Sequence, residues 1–491
     1  MDWFSSLGTF GKILNFIVIF FEVIVVFNLM ILVHEWGHFL AARWRGLKIE
    51  KFYIWFGKPL WKKTINGVEY GLGSIPFGGF VALPQMAPME AIEGGTEGLR
   101  ETLPPISPMD KIIVAFAGPL FSFLLAAFFA VIVWQVGYPD RRVHTTQIGW
   151  IKPDSPAEKA GLKSGDTIKA IDGVQVTSWD EPINSVIERI AFGNNDKIAF
   201  TVERPGEDKL LTIPTEFTIE KGGLIQRTGM RKVGIASALP AKVEMVLAGS
   251  PAERAGLKPG DIILKADGQE VFSPLALDMM FDKDAARQVN ITVKRGAETP
   301  AMVLAVEKPS SPAGLEPMSG IIWDNARNAA TETLAHPTPG KQLTTATTMM
   351  VRTLGGLVTP GSDISFQHLS GPVKIFNLYY RLFEQPDGWR LVLWFSVILN
   401  VNLALLNLLP FPVLDGGHIT MALLEIIRRR PVLNLKALEI FQTACALTLF
   451  GFMIYVTWFD SWDLFGGGKK EAGEDVKIED IKFAPKPVVT Q

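Results

Sequence analysis

Between Ile13 and Val33 the chain carries a single charged residue, Glu22. A run of that length is enough for a membrane-spanning helix. In hydrocarbon only a helix or a closed barrel satisfies every backbone amide, which removes most fold classes at once. The run leads directly into His34-Glu35-Trp36-Gly37-His38. On a helix, positions i and i+4 share a face, so both imidazoles can reach one metal ion. Glu35 stands beside them, where it can accept a proton from water at that metal. Two histidines and a carboxylate close to hydrocarbon are costly unless paired or coordinated, so a functional site is the default reading. A structural metal site, or a hydrogen-bonded cluster between helices, would use the same residues.

Further apolar runs predict three more spans, at Ile112 to Gly137, about Leu391 to Leu409 and about Ala437 to Trp458. The second is expected to be interrupted at Gly118-Pro119, which membrane helices tolerate when neighbours satisfy the freed backbone groups. No small-residue cleavage site follows the first run, so it reads as a retained span and not a removed signal peptide. At 491 residues, with a positive mean hydropathy and 20% charged residues, two to four units are expected, part membrane and part soluble. The net charge of −2 with no basic stripe argues against a nucleic-acid partner. A single cysteine, Cys445, excludes an intrachain disulfide.

Flanking charge orients the spans. From Arg43 to Lys63 there are seven Lys or Arg residues against one acid, Glu50, and Arg428-Arg429-Arg430 follow the third span. Both segments read as cytoplasmic, which places the stretch from about 141 to 388 and both termini outside. The residues near 34–38 and near 415 then fall on the same side.

The segment 48–83 alternates apolar and polar residues around Asn66-Gly67, a hairpin signal. Phe77-Gly78-Gly79-Phe80-Val81 follows, and its glycines permit close backbone approach. A small sheet near the membrane site is expected, with Gly78 and Gly79 on a strand that could hold an extended substrate by main-chain hydrogen bonds. A purely structural hairpin is the alternative.

Ser155-Pro156-Ala157-Glu158-Lys159-Ala160-Gly161-Leu162-Lys163-Ser164-Gly165-Asp166 recurs 95 residues later, from Ser250 to Asp261, with ten of twelve positions identical. That is a duplicated domain. Each copy predicts a Ser-Pro-initiated helix ended by glycine. A Gly-Asp turn and an apolar strand follow, then a second turn at Asp172-Gly173 or Asp267-Gly268. The pattern resembles PDZ domains of the bacterial protease type, which bind extended chains by strand addition. Copies serving only as packing or steric elements are the alternative. Residues 309–345 read as a linker, and 346–375 could hold an amphipathic helix.

The third span ends in Asn402-x₄-Asn407-Leu408-Leu409-Pro410-Phe411-Pro412-Val413-Leu414-Asp415-Gly416-Gly417-His418. Two prolines and Asp-Gly-Gly force irregular backbone, tolerated at membrane depth only inside protein or beside a cavity. Two His nitrogens and one carboxylate, with a fourth position open, form the donor set of a catalytic zinc. Asp415, in the turn itself, is the preferred third ligand, and His418 is its rival. Asn402 and Asn407 lie about 140° apart around a helix. Each could bind substrate or simply join helices.

Together these motifs resemble the site-2 protease family, specifically its RseP-type regulator-of-sigma-E proteases with tandem PDZ domains, from about residue 15 to 460. The resemblance implies a zinc-dependent intramembrane endopeptidase acting in regulated intramembrane proteolysis. His34, His38 and Asp415 match the metal ligands, Glu35 the catalytic acid/base, and Asn402 and Asn407 polar residues implicated in substrate handling. The implied partners are the lipid bilayer, single-pass proteins such as anti-sigma factors or remnant signal peptides, and peptide tails at the PDZ-like domains. The implied location is the bacterial inner membrane.

The expected plan is a multi-pass α-helical membrane protein with a small membrane-associated β-hairpin sheet and two extracytoplasmic α+β PDZ-like domains. Its segments are a first span (1–47), a cytoplasmic-side hairpin region (48–110), a second span (111–140) and PDZ-like domains (141–238 and 239–310). A linker with an amphipathic segment (311–388) leads to the third span with its Leu-Asp-Gly motif and cytoplasmic loop (389–436), the fourth span (437–460) and a tail (461–491). The family's Ala-Gly-Pro-x-x-Asn stands here as Ala117-Gly118-Pro119-Leu120-Phe121-Ser122, with the shorter polar serine at position 122. Residues 86–102 and the tail after Gly466 look longer than is usual in the family. A catalytically silent PDZ-based adaptor is the runner-up, and a metal transporter a third reading. Neither requires all of His34, Glu35, His38 and Asp415.

Overall fold

The computed structural model describes residues 8–86, 103–104, 106–140, 142–222, 227–281, 288–312, 315–324, 334–385, 387–430, 435–465 and 480–483. The expectations for most of 86–102 and for the tail after 466, apart from 480–483, lie outside these. Among the described residues, four helices are long and apolar enough to cross a membrane: Phe10–Trp44, Pro108–Val136, Gly388–Asn407 and Ile440–Leu464. The chain is therefore organised as a multi-pass membrane protein.

Two compact units divide the chain. The first unit holds helices α1 (Gly8–Trp44), α2 (Pro108–Val136), α4 (Pro372–Phe383), α5 (Gly388–Asn407) and α6 (Asp415–Arg428), and most of α3 (Pro339–Val358) and α7 (Leu435–Phe465). Helix α2 starts where sequence dictates: the Ser107 hydroxyl accepts the Asp110 N–H at 3.1 Å, and Pro108 fills a first-turn position that needs no donor. It ends at Gly137, at φ 70°. It runs unbroken through Pro119, so the expected interruption is absent. Apolar residues of α1, α2, α3 and α5 share one core, including Met30, Ala126, Ala130, Ala346 and Val401.

Between α1 and α2 lies a four-stranded sheet, β1 (Lys51–Phe56), β2 (Trp61–Ile65), β3 (Val68–Leu72) and β4 (Ile75–Ala82), in the order β2-β3-β1-β4. Asn66 and Gly67, at φ 50° and 78°, close the β2–β3 hairpin with the positive dihedrals that a tight turn of that hand demands. Strand β1 pairs β3 in parallel and β4 antiparallel, which leaves β4 as an edge.

The second unit contains the duplicated segments. In each, a serine hydroxyl caps a five-residue helix, Pro156–Ala160 or Pro251–Ala255, and a left-handed glycine ends it. Strand Thr167–Ile171 lies between Val174–Gln175 and Ile198–Glu203, and Ile262–Ala266 between Gln269–Glu270 and Gln288–Lys294. Each copy has its own apolar core. The second copy runs past the expected boundary at 310, because Ile321–Trp323 pairs with Ala241–Val246. The segment expected as a linker also holds that strand and the start of α3, most of which lies where an amphipathic helix was expected, and α4 follows.

Candidate metal centre

Helix α1 places His34 and His38 one turn apart on the face that meets α2. That face can close because of two glycines. A Cβ on Gly37 would collide with the Ala117 carbonyl, and one on Gly118 with the Nε2 atoms of both histidines. After α5, the prolines divert the chain into successive tight turns, with Phe411 N–H donating to Leu409 O, Leu414 N–H to Phe411 O and Gly417 N–H to Leu414 O. Helix α6 restarts at Asp415. It is braced by Glu425, which accepts from Lys111 of α2 at 2.7 Å. The fold thus brings together residues 377 positions apart in sequence.

The two imidazoles are held from behind. His38 Nδ1 lies 2.8 Å from the Val114 carbonyl, which can only accept, so the proton of the neutral ring sits on Nδ1. His34 Nδ1 lies 2.9 Å from Ser122 Oγ, and the same tautomer results when that hydroxyl accepts. Both Nε2 atoms then present bare lone pairs, 3.3 Å apart. Asp415 completes the triangle, Oδ2 at 3.3 Å from His34 Nε2 and Oδ1 at 3.4 Å from His38 Nε2. Neighbouring corners of a tetrahedron with bonds of about 2.0–2.1 Å are separated by about 3.3–3.4 Å, so the donors fit one zinc ion. Three electron-rich atoms converging at low exposure repel unless a cation lies among them.

A cavity of about 300 Å³ opens beside the donors, and Glu35, Asn407 and His418 line it with Phe80 and Val81 of β4. His418 lies one turn beyond Asp415 and outside the three-donor cluster; its Nε2 is buried and has no hydrogen-bond partner among the described residues. Asn407 lines the cavity and Asn402, about 140° away around the helix, is not among the lining residues. Gly79 sits against the site: a Cβ there would lie 3.6 Å from Glu35 Cγ. Gly78, at φ 78°, has no room for a side chain beside the Phe56 ring. Sequence reasoning missed Ser122 as a partner of His34. The signal available was a hydroxyl one turn after Gly118-Pro119.

Two histidines flanking a glutamate, joined by a distant aspartate and opening on a cavity, define a metallopeptidase site built into membrane helices. The chain belongs to Peptidase family M50, which it matches over residues 22–452. It is 30% identical over 430 residues to the regulator of sigma-E protease RseP of Escherichia coli K12, covering 83% of this chain and 91% of that protein. It is also 30% identical over 440 residues to the protease RseP of Yersinia pestis, with the same coverage. A Neisseria meningitidis serogroup A protein provisionally named a zinc metalloprotease is 29% identical over 424 residues, again covering 83% and 91%. The chain is a zinc metalloprotease.

Proposed function

We propose that this protein is an intramembrane endopeptidase of the bacterial inner membrane that cuts the spanning segments of single-pass proteins, with anti-sigma factors and remnant signal peptides as the substrate class. The observation that carries this reading is the meeting of His34 and His38, inside a candidate span, with Asp415, just beyond another, around a cavity that Glu35 lines. His34, His38 and Asp415 would hold zinc. When bound there, zinc supplies Lewis acidity that polarises a carbonyl and lowers the pKa of water to about 7. Glu35 accepts the proton of the attacking water and delivers it to the leaving amine. Asn407, which also lines the cavity, offers an amide to the substrate backbone.

A substrate helix keeps its amides internally bonded, so it must unwind before attack. Among the described residues strand β4 is unpaired along one side, and it passes Glu35, so it can replace those bonds by strand addition. The charge bias supports the side of Arg43 and Arg428 as cytoplasmic and the duplicated domains as external. We assign those domains as PDZ-like units, from 141–238 and from 239 through Trp323, that bind peptide tails or filter substrates by size. Untrimmed substrates still uncut after deletion of 145–308 would overturn the filter.

The test of the central reading compares wild type with Glu35→Gln on a tagged single-pass substrate, with zinc assayed in both. Zinc in both, with cleavage reduced by roughly 10²–10⁴ in the variant, is expected from loss of the proton carrier. Equal cleavage by both proteins would overturn the role of Glu35.

A further inference from the structure

Nearly two turns before His34, helix α1 carries an asparagine whose amide is fully engaged. Asn28 Nδ2 donates to the Ile24 carbonyl of its own helix at 2.7 Å and to the Pro76 carbonyl of β4 at 3.3 Å. Its Oδ1 accepts from the Trp55 indole N–H at 2.5 Å. An amide among apolar neighbours is costly unless paired, and here both ends reach into the sheet.

Trp55 is itself an anomaly. It sits at φ 72°, a region a bulky residue occupies only under constraint, at the register shift between Ile54 and Phe56 in the β1–β4 ladder. Such strain persists where surrounding contacts over-determine it. The bond to Asn28 is one of those contacts. One asparagine therefore grips β1 at its bulge and β4 at Pro76, two residues before Gly78-Gly79 and the passage beside Glu35.

We propose that the Asn28–Trp55–Pro76 clasp sets the position of β4 over Glu35 and so selects which substrate bond is cut. This rests on the reading that β4 receives the substrate. Strand addition copies the register of the template, and a slip of one residue moves the added chain by about 3.3 Å and reverses its side chains. Asn28 and Trp55 are then positioning residues that fix the cleavage register without touching substrate.

The test uses the full-length protein in detergent, a synthetic single-span peptide, and the variants Asn28→Ala, Trp55→Phe and their double. Products are mapped by mass spectrometry, zinc is measured, and hydrogen exchange is followed across 75–82. The expected result is a ladder of neighbouring cleavage products in place of one. It should come with kcat reduced roughly tenfold, unchanged zinc content and faster exchange confined to 75–82. The double variant should be no worse than either single, because all three break one unit. An unchanged single product at wild-type kcat would overturn the inference.

If the variants lose all cleavage, exchange decides. Loosening limited to 75–82 with zinc retained supports the clasp; loosening through 51–72 with zinc lost reduces it to general adhesion and overturns it. Substrates N-methylated at the amides flanking the cut test the underlying reading separately. Their cleavage by wild type at the parent rate would reject strand addition itself. Slow cleavage of them, with an unaltered register in Asn28→Ala, would reject the clasp alone.

Discussion

The Ser122 hydroxyl lies 2.9 Å from His34 Nδ1, on the opposite side of the imidazole from Asp415. Ser122 is fully buried. It holds the plane of a metal-facing ring from a helix that supplies no metal ligand of its own. Where the family pattern has asparagine, a serine here reaches the ring.

Removing that hydroxyl should loosen the ring without deleting a ligand. Ser122→Ala is expected to weaken zinc binding roughly ten- to hundredfold, the usual cost of losing a partner behind a ligand. Competition with a chelator measures this directly. Equal zinc affinity in Ser122→Ala and wild type would show that packing alone orients His34.

Gly118 makes the same surface possible. Its missing side chain is the space that the Nε2 atoms of His34 and His38 occupy. Gly118→Ala should therefore displace the rings and abolish stoichiometric zinc, while the four spans persist by circular dichroism. Full zinc occupancy in Gly118→Ala would mean that α1 and α2 can separate without cost.

Asp415 and His418 share a helix face, yet only Asp415 joins the three-donor cluster. Asp415→Ala should lose zinc, and His418→Ala should keep it. Metal analysis of the two variants decides between them. Zinc lost equally from both would return His418 to the ligand set.

Much of this arrangement could be read in the chain because the signals are local. Apolar runs marked the spans, the i, i+4 histidines needed only helical geometry, and Asn66-Gly67 carried its own turn. What escaped depends on distant pairing. The Ser122–His34 bond joins residues 88 positions apart. Ile321–Trp323 lies in a segment rich in glycine and proline and becomes a strand only because Ala241–Val246 offers it an edge. Asn407 reaches the cavity and Asn402 does not, a choice set by the rotation of α5, which periodicity alone leaves open. Trp55 at positive φ contradicts local preference, and such contradictions gather at functional sites.

The duplicated domains repeat one ion pair, an arginine laid on a buried aspartate. Arg204 grips Asp166 with Nε and Nη2, both at 2.8 Å, and gives Nη2 also to the Gly161 carbonyl. Arg295 does the same to Asp261, at 2.8 and 2.6 Å, and to Gly256. Each aspartate also accepts a backbone N–H, from Lys163 or Lys258. Asp166→Ala strands a charge and a backbone donor, so the first domain should lose about 2–3 kcal/mol. Urea unfolding followed by proteolysis of the full-length protein measures the loss, and a change under about 0.5 kcal/mol would mean water replaces the carboxylate.

In the second domain the same geometry predicts a pH dependence. Burial alone would raise the Asp261 carboxyl, but Arg295 and the Lys258 N–H outweigh it and hold it below the ordinary carboxylate value. A group with a depressed pKa in the folded state contributes stability that is complete above its unfolded value, near pH 4. That contribution is lost as the pH falls through the folded value. The second domain should therefore be insensitive to pH between 5 and 8, as far as this pair is concerned, and loosen only in stronger acid. Asp261→Asn should be less stable at neutral pH and flatter toward acid. Hydrogen exchange across Ile262–Ala266, corrected for the intrinsic pH dependence of exchange, reads both effects. Wild type and Asp261→Asn losing protection in parallel from pH 5 to pH 3 would assign the acid sensitivity to other carboxylates.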